Sequence, residues 1–117
     1  MKILFVINDA PYGTEKAYNA LRLSLQILKD KPETELRIFL LADAVNCALK
    51  NQITPQGYYN IERMMRGILS KGGKVKLCGT CSDARGLKEL NLIEGVQMSN
   101  LAEFSEWTLD SDKVLIF

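Results

Sequence analysis

Met1-Lys2-Ile3-Leu4-Phe5-Val6-Ile7-Asn8-Asp9 opens the chain with an unbroken apolar run, Ile3 to Ile7, between a lysine and an asparagine. A central strand of a parallel sheet is covered on both faces and needs no polar alternation, so this run predicts such a strand over Lys2 to Asn8. It is shorter than the apolar core of a secretory leader, which takes roughly 7–15 residues. Ala10-Pro11-Tyr12-Gly13 then turns the chain. From Thr14 to about Lys31 the period changes to that of a helix: Ala17, Tyr18, Ala20, Leu21, Ser24, Leu25, Ile27 and Leu28 share one arc, and Leu23 lies off it. Lys31-Pro32 ends this helix.

The same alternation continues. Leu36 to Ala42 predicts a second strand, with Asp43 placed to cap a short helix running to about Lys50. Residues 51–59, with Pro55, Gly57 and two tyrosines, predict a loop. Asn60 to Lys71 is helical, with Ile61, Met64, Met65, Ile68 and Leu69 in register and Gly72-Gly73 as the stop. Lys74-Val75-Lys76-Leu77-Cys78 alternates, so the third strand has one apolar face and one partly wet face. Gly95 to Met98 is a weak fourth strand. Ser99 or Asn100 caps a helix to about Leu109, and Asp112 to Phe117 is the fifth strand. Strands alternating with helices at this spacing imply β-α-β units with right-handed crossovers. The expected fold is a single α/β domain over residues 1–117, a three-layer α/β/α sandwich around a mostly parallel five-stranded sheet.

Composition excludes several function classes. The chain has 117 residues, 15 basic and 14 acidic, for a net charge of +1, which gives no global attraction for nucleic acid or acidic membranes. No stretch approaches the roughly 20 apolar residues that span a bilayer, which favours a cytoplasmic protein. Three cysteines, Cys47, Cys78 and Cys81, are too few for a disulfide scaffold. There is no histidine, which removes the usual base of Ser-His and Cys-His catalysis and the commonest zinc ligand.

Chemistry therefore concentrates at Leu77-Cys78-Gly79-Thr80-Cys81-Ser82-Asp83, where two thiols meet a glycine turn at a strand end. Loops at the carboxyl edge of a parallel sheet converge, so this topology predicts a neighbourhood of Asn8, Asp9, Tyr12, Gly13, Asp43, Cys78 and Cys81. Thr80, Asp83 and Arg85 complete the candidate pocket. Inward-pointing turn amides and the cations Lys76, Arg85 and Lys88 would favour a thiolate, and Asp83 opposes them. Such a thiolate can carry a persulfide, with the second cysteine able to resolve it as a disulfide. Two other readings stay open: a dithiol redox module, and a non-catalytic oligomeric protein whose edge pocket binds a small anion or nucleotide. One pair of thiols falls short of the roughly four ligands of a structural zinc site, so no metal and no cofactor is expected. Cys47 reads as packing, and Tyr58 and Tyr59 as a cover over the site or a surface contact.

Several blocks, in order and over essentially the whole chain, carry a family likeness: Asp9-Ala10-Pro11-Tyr12-Gly13-Thr14-Glu15, Phe39-Leu40-Leu41-Ala42-Asp43-Ala44-Val45, Gly57-Tyr58-Tyr59-Asn60-Ile61, Val75-Lys76-Leu77-Cys78-Gly79-Thr80-Cys81 and Trp107 to Leu115. Together they resemble the DsrE/DsrF-like family, in particular its small YchN-type branch. The resemblance implies an α/β/α domain that forms a homo-oligomer, a hexamer or trimer, and a link to intracellular sulfur handling. It implies a cysteine near the third strand that accepts sulfur as a persulfide from a donor protein and passes it to an acceptor. Cys78 is the first position for that role and Cys81 its close rival.

Overall fold

A computed structural model of the chain describes residues 1–117. Five strands, β1 (Lys2–Ile7), β2 (Glu35–Leu40), β3 (Lys74–Cys78), β4 (Val96–Ser99) and β5 (Lys113–Ile116), form one sheet in the order β4-β3-β2-β1-β5, every neighbouring pair parallel. Between them come α1 (Lys16–Asp30), a 3-10 helix (Ala42–Ala48), α2 (Ile61–Ser70), α3 (Gly79–Ala84) and α4 (Leu101–Asp110). The expected α/β/α layering is present. Because β4 and β5 lie at opposite edges, α4 crosses the sheet alone on one face, while α1 and α2 pack side by side on the other.

The apolar runs explain the layering. In β1, Ile3, Phe5 and Ile7 point into a cluster of 21 buried residues shared with α1, α2 and the 3-10 helix, whereas Leu4 and Val6 point to the α4 face. That second face holds only 3 buried hydrophobic residues, Leu4, Val6 and Phe39, packed against Phe104 and Trp107. At about 1.5–3 kcal/mol for each large side chain removed from water, the first face carries most of the hydrophobic stabilisation. Burial in β3 alternates as its sequence does: Val75 and Leu77 enter the large core, and Lys76 and Cys78 stay half-buried on the α4 face. Phe39 stacks on Phe104 at 4.6 Å and meets the edge of Trp107 at 6.2 Å. Arg37, 5% exposed on the same face, lies against Trp107 and donates to Asp110 at 2.7 Å and Glu35 at 2.9 Å.

The structure corrects several local expectations. The first helix starts at Lys16, because Thr14 turns outward to donate to Asp9 at 2.8 Å and accepts from the Lys16 amide. β2 ends at Leu40, since Ala42 bends into the left-handed region (φ 50°) and begins the 3-10 helix. Asp43 therefore falls inside the first turn of that helix and caps nothing; Leu41 is the cap residue. Between Ser99 and Asn100, the cap of α4 is Asn100, whose side chain accepts from the Glu103 amide at 2.9 Å. The glycine stop of α2 is as expected: Gly72 takes φ 90°, and the Gly73 amide returns to the Ile68 carbonyl. The stretch after Cys78, expected as a turn, is a short helix.

Candidate functional site

β3 delivers Cys78 to the carboxyl edge of the sheet in extended conformation, and the chain enters α3 at once. Cys78 is the cap of that helix: its Sγ accepts from the Cys81 amide at 3.3 Å, and Thr80 Oγ1 lies 3.3 Å from the same sulfur. Ser82 Oγ donates back to the Cys78 carbonyl at 2.7 Å, locking the strand-to-helix junction. The helix sits hard against β4. A Cβ placed on Gly79 would lie 2.9 Å from the Ser99 carbonyl, so only glycine permits this approach.

The two thiols have different surroundings. Cys78 touches both the large core and the α4-side cluster, whereas Cys81 packs against the large core alone, with Sγ accepting from the Ala42 amide at 3.3 Å. Burial works against ionisation of Cys78, but hydrogen bonds from the Cys81 thiol, from Thr80 and from the Cys81 amide outweigh it and draw its pKa below the ordinary thiol value. Cys81 moves the other way: burial and its bond to Cys78 raise its pKa, offset only in part by the Ala42 amide and Arg85. As these two groups interact, they titrate as a pair. Both thiols are free.

Cys78 also opens onto a cavity of about 500 Å3 between the ends of β2 and β3, the start of α3 and the N-terminal turn of α4. Phe39, Leu41, Met98, Leu101 and Phe104 give it carbon walls, with Thr80, Asp83 and Lys88 at the α3 side. Asp83 and Lys88 pair at 3.1 Å. Cys81 does not line the cavity.

Of the residues singled out from the sequence, the structure brings Cys78, Thr80 and Asp83 to this cavity and places Cys81, Asp43 and Arg85 just behind it. Arg85 donates to Asp43 at 2.8 Å and to the Cys81 carbonyl at 3.1 Å, so it ties the loop after β2 to α3. Asn8 lies elsewhere; its amide groups donate to Phe117. Asp9 accepts from Thr14. Tyr12 and Gly13 line a separate open pocket of about 650 Å3 with Tyr18, Tyr58 and Tyr59. There Tyr59 stacks on Tyr18 at 4.1 Å and on Tyr58 at 4.4 Å, and Tyr12 accepts from the Ile61 amide at 3.0 Å. These tyrosines therefore anchor the loop before α2 and do not cover the thiols. Cys47 is fully buried, and burial pushes its pKa up to about 12, as suits a packing residue. Sequence reasoning missed the walls from Met98, Leu101 and Phe104. Their signal was the pairing of β4 with β3, which aligns Cys78 with Ser99.

An all-parallel sheet with a pair of free thiols at its carboxyl edge defines an α/β protein of open-sheet type. Comparison with known proteins gives the family. The family model described as DsrE/DsrF-like matches residues 1–117, and the chain belongs to the DsrE/DsrF-like family. It is 44% identical to protein YchN of Escherichia coli K12 over 99% of this chain and 98% of that protein. It is also 39% identical, over the full length of both, to the uncharacterized protein MJ0989 of Methanocaldococcus jannaschii. The crystal structure of the E. coli ychN protein superposes with a TM-score of 0.95, covering 100% of this chain and 99% of that one at 44% identity. A conserved protein of unknown function from Bacteroides thetaiotaomicron, BT1422, shares the fold at a TM-score of 0.71 and 15% identity, over 99% of this chain and 94% of that one.

Proposed function

We propose that the protein is a cytoplasmic sulfur carrier in which Cys78 holds sulfur as a persulfide. One observation carries this reading: Cys78 is the thiol that opens onto a cavity and accepts from the Cys81 amide, which helps draw its pKa down, while Cys81 packs against the core and its pKa is raised. In the loading step the Cys78 thiolate attacks the outer sulfur of a donor persulfide, R–S–SH. The donor's S–S bond breaks, its electron pair leaves on R–S⁻, and Cys78–S–SH forms without external oxidant. An acceptor thiolate reverses this at the outer sulfur. Should Cys81 attack instead at the inner sulfur, a Cys78–Cys81 disulfide forms and hydrogen sulfide departs.

Oligomerisation belongs to the same reading. Leu109 and Ile116 are 85% and 72% exposed, apolar side chains that further copies of the chain would cover. The assembly expected is a hexamer, and light scattering measures it. Persulfide loading is tested by incubating reduced protein with a cysteine desulfurase and cysteine, then mapping peptide masses. The expected result is a gain of about 32 mass units on Cys78, lost in Cys78→Ser and kept in Cys81→Ser. Equal loading of both variants would overturn the assignment.

A dithiol redox module is the second reading, favoured by Cys78 capping a helix whose first turn holds Cys81. It requires both thiols and a reversible intramolecular disulfide.

A further inference from the structure

The cavity beside Cys78 also has a chemical character that selects among sulfur compounds. Its walls are mainly carbon, from Phe39, Leu41, Met98, Leu101 and Phe104, and its volume of about 500 Å3 lies within the range that encloses small organic ligands. Its charge is already balanced. Asp83 and Lys88 are the only charged side chains lining it, and they neutralise each other. Lys76, the next cation along β3 on this face, is held by Glu103 at 3.0 Å and lies 4.7 Å from the Trp107 ring centroid. An inorganic sulfur anion entering here would shed hydration against hydrocarbon and find no unpaired cation. A hydrocarbon body gains what the anion loses, since it covers the exposed carbon of Met98 and Leu101 and removes itself from water.

Resting on the carrier reading, we infer that Cys78 exchanges sulfur with a small organic persulfide, R–S–SH, whose R group is an uncharged hydrocarbon body seated in this cavity. The body lies between the end of β2 and the first turn of α4, and the persulfide is presented to Cys78 Sγ. The reaction is the one balanced above: the Cys78 thiolate takes the outer sulfur with its proton, the donor S–S bond breaks, and R–S⁻ leaves with the electron pair. Its leaving thiolate is the group that then departs from the cavity.

Occupancy and transfer are measured separately on the full chain. For occupancy, benzyl methyl sulfide, which cannot transfer sulfur, competes with iodoacetamide, and peptide mapping follows each cysteine. The expected result is at least a fivefold slowing at Cys78, no slowing at Cys81, and no protection by methanesulfonate at equal concentration. Leu101→Lys, at a residue 78% exposed and therefore tolerated by the fold, should weaken benzyl protection and introduce protection by methanesulfonate. For transfer, benzyl hydropersulfide and thiosulfate are compared as donors, each rate divided by its rate with free cysteine. The benzyl donor should be faster by tenfold or more. Absence of benzyl protection, or equal protection by methanesulfonate, with thiosulfate still loading Cys78, overturns the substrate class and leaves the carrier standing. Benzyl protection with no transfer from any donor overturns the carrier and the donor assignment with it.

Discussion

Replacing Gly79 with alanine tests whether the close approach of α3 to β4 sets the reactivity of Cys78. The added Cβ would sit 2.9 Å from the Ser99 carbonyl oxygen, whereas ordinary contact begins near 3.4 Å, so one backbone must retreat by about half an ångström. The Met98 side chain, 3.9 Å away, is no obstacle. Ser99 has little freedom to retreat: it is paired with Cys78 in the β3–β4 ladder and leads directly into the Asn100 cap of α4. Overpacking of this kind costs about 1–3 kcal/mol. Alanine's advantage over glycine in a helix returns up to about 1 kcal/mol, leaving a net loss of up to about 2 kcal/mol. Moving α3 outward also lengthens the 3.3 Å bond from the Cys81 amide to Cys78 Sγ, which weakens one of the interactions favouring the thiolate. Urea unfolding followed by Trp107 fluorescence reads the stability, and the pH dependence of Cys78 alkylation reads the thiol, whose midpoint should rise. Gly67→Ala is the control, because its Cβ meets only a Leu25 methyl at 3.4 Å and a mid-helix alanine should not destabilise. A Gly79→Ala protein as stable as the wild type, with an unshifted alkylation profile, would refute this account.

Cys47, whose pKa is pushed up to about 12, stays protonated in the fold while the unfolded thiol ionises. The native state then binds more protons, so its contribution is complete below the unfolded thiol value and is lost as pH rises toward 12, at about 1.4 kcal/mol per unit. Cys47→Ala should therefore be less stable than wild type at pH 7, with a gap that narrows by pH 10.5 in urea unfolding. Arg37→Met should cost about 1 kcal/mol or less, since Glu35 and Asp110 remain hydrated at the surface and the unpaired buried Nε of Arg37 disappears. Asp110→Ala should cost more than Arg37→Met in urea unfolding, because it strips a partner from a buried cation. Asn100→Ala should lower stability by about 1 kcal/mol through loss of the α4 cap, read by Trp107, the only tryptophan.

The strands were legible because their burial is written into local sequence: five unbroken apolar residues in β1, strict alternation in β3. Strand order was not, since residues at equal spacing along the chain fit several orders. That gap explains the placement of Tyr12 and Gly13. All strands do open at one edge, but β2 stands between β1 and β3, and the loop after β1 leans toward α2, where Tyr59 and the Ile61 amide receive it. The helix at Gly79–Ala84 escaped notice because Gly-Thr-Cys-Ser-Asp-Ala has no apolar period, and its six residues hold together through side-chain bonds at Cys78 and Ser82. Asp43 was placed at the right edge with the wrong task, for the left-handed turn at Ala42 is invisible in an ordinary alanine.

The solitary crossing of α4 has a kinetic consequence. Its two ends are anchored to opposite margins of the sheet, and β5 pairs with β1 across more than a hundred residues of chain. Contacts of such sequence separation carry the largest closure entropy and form slowly. The α1 and α2 side, stitched by nearer neighbours, can consolidate first, and α4 docks as a late step over a face with few buried groups. The wall beside Cys78 is thus among the last parts to assemble and among the first to open, so transient lifting of α4 would expose that thiol without unfolding the remainder. Amide hydrogen exchange should find α4 exchanging well before β1 and β2.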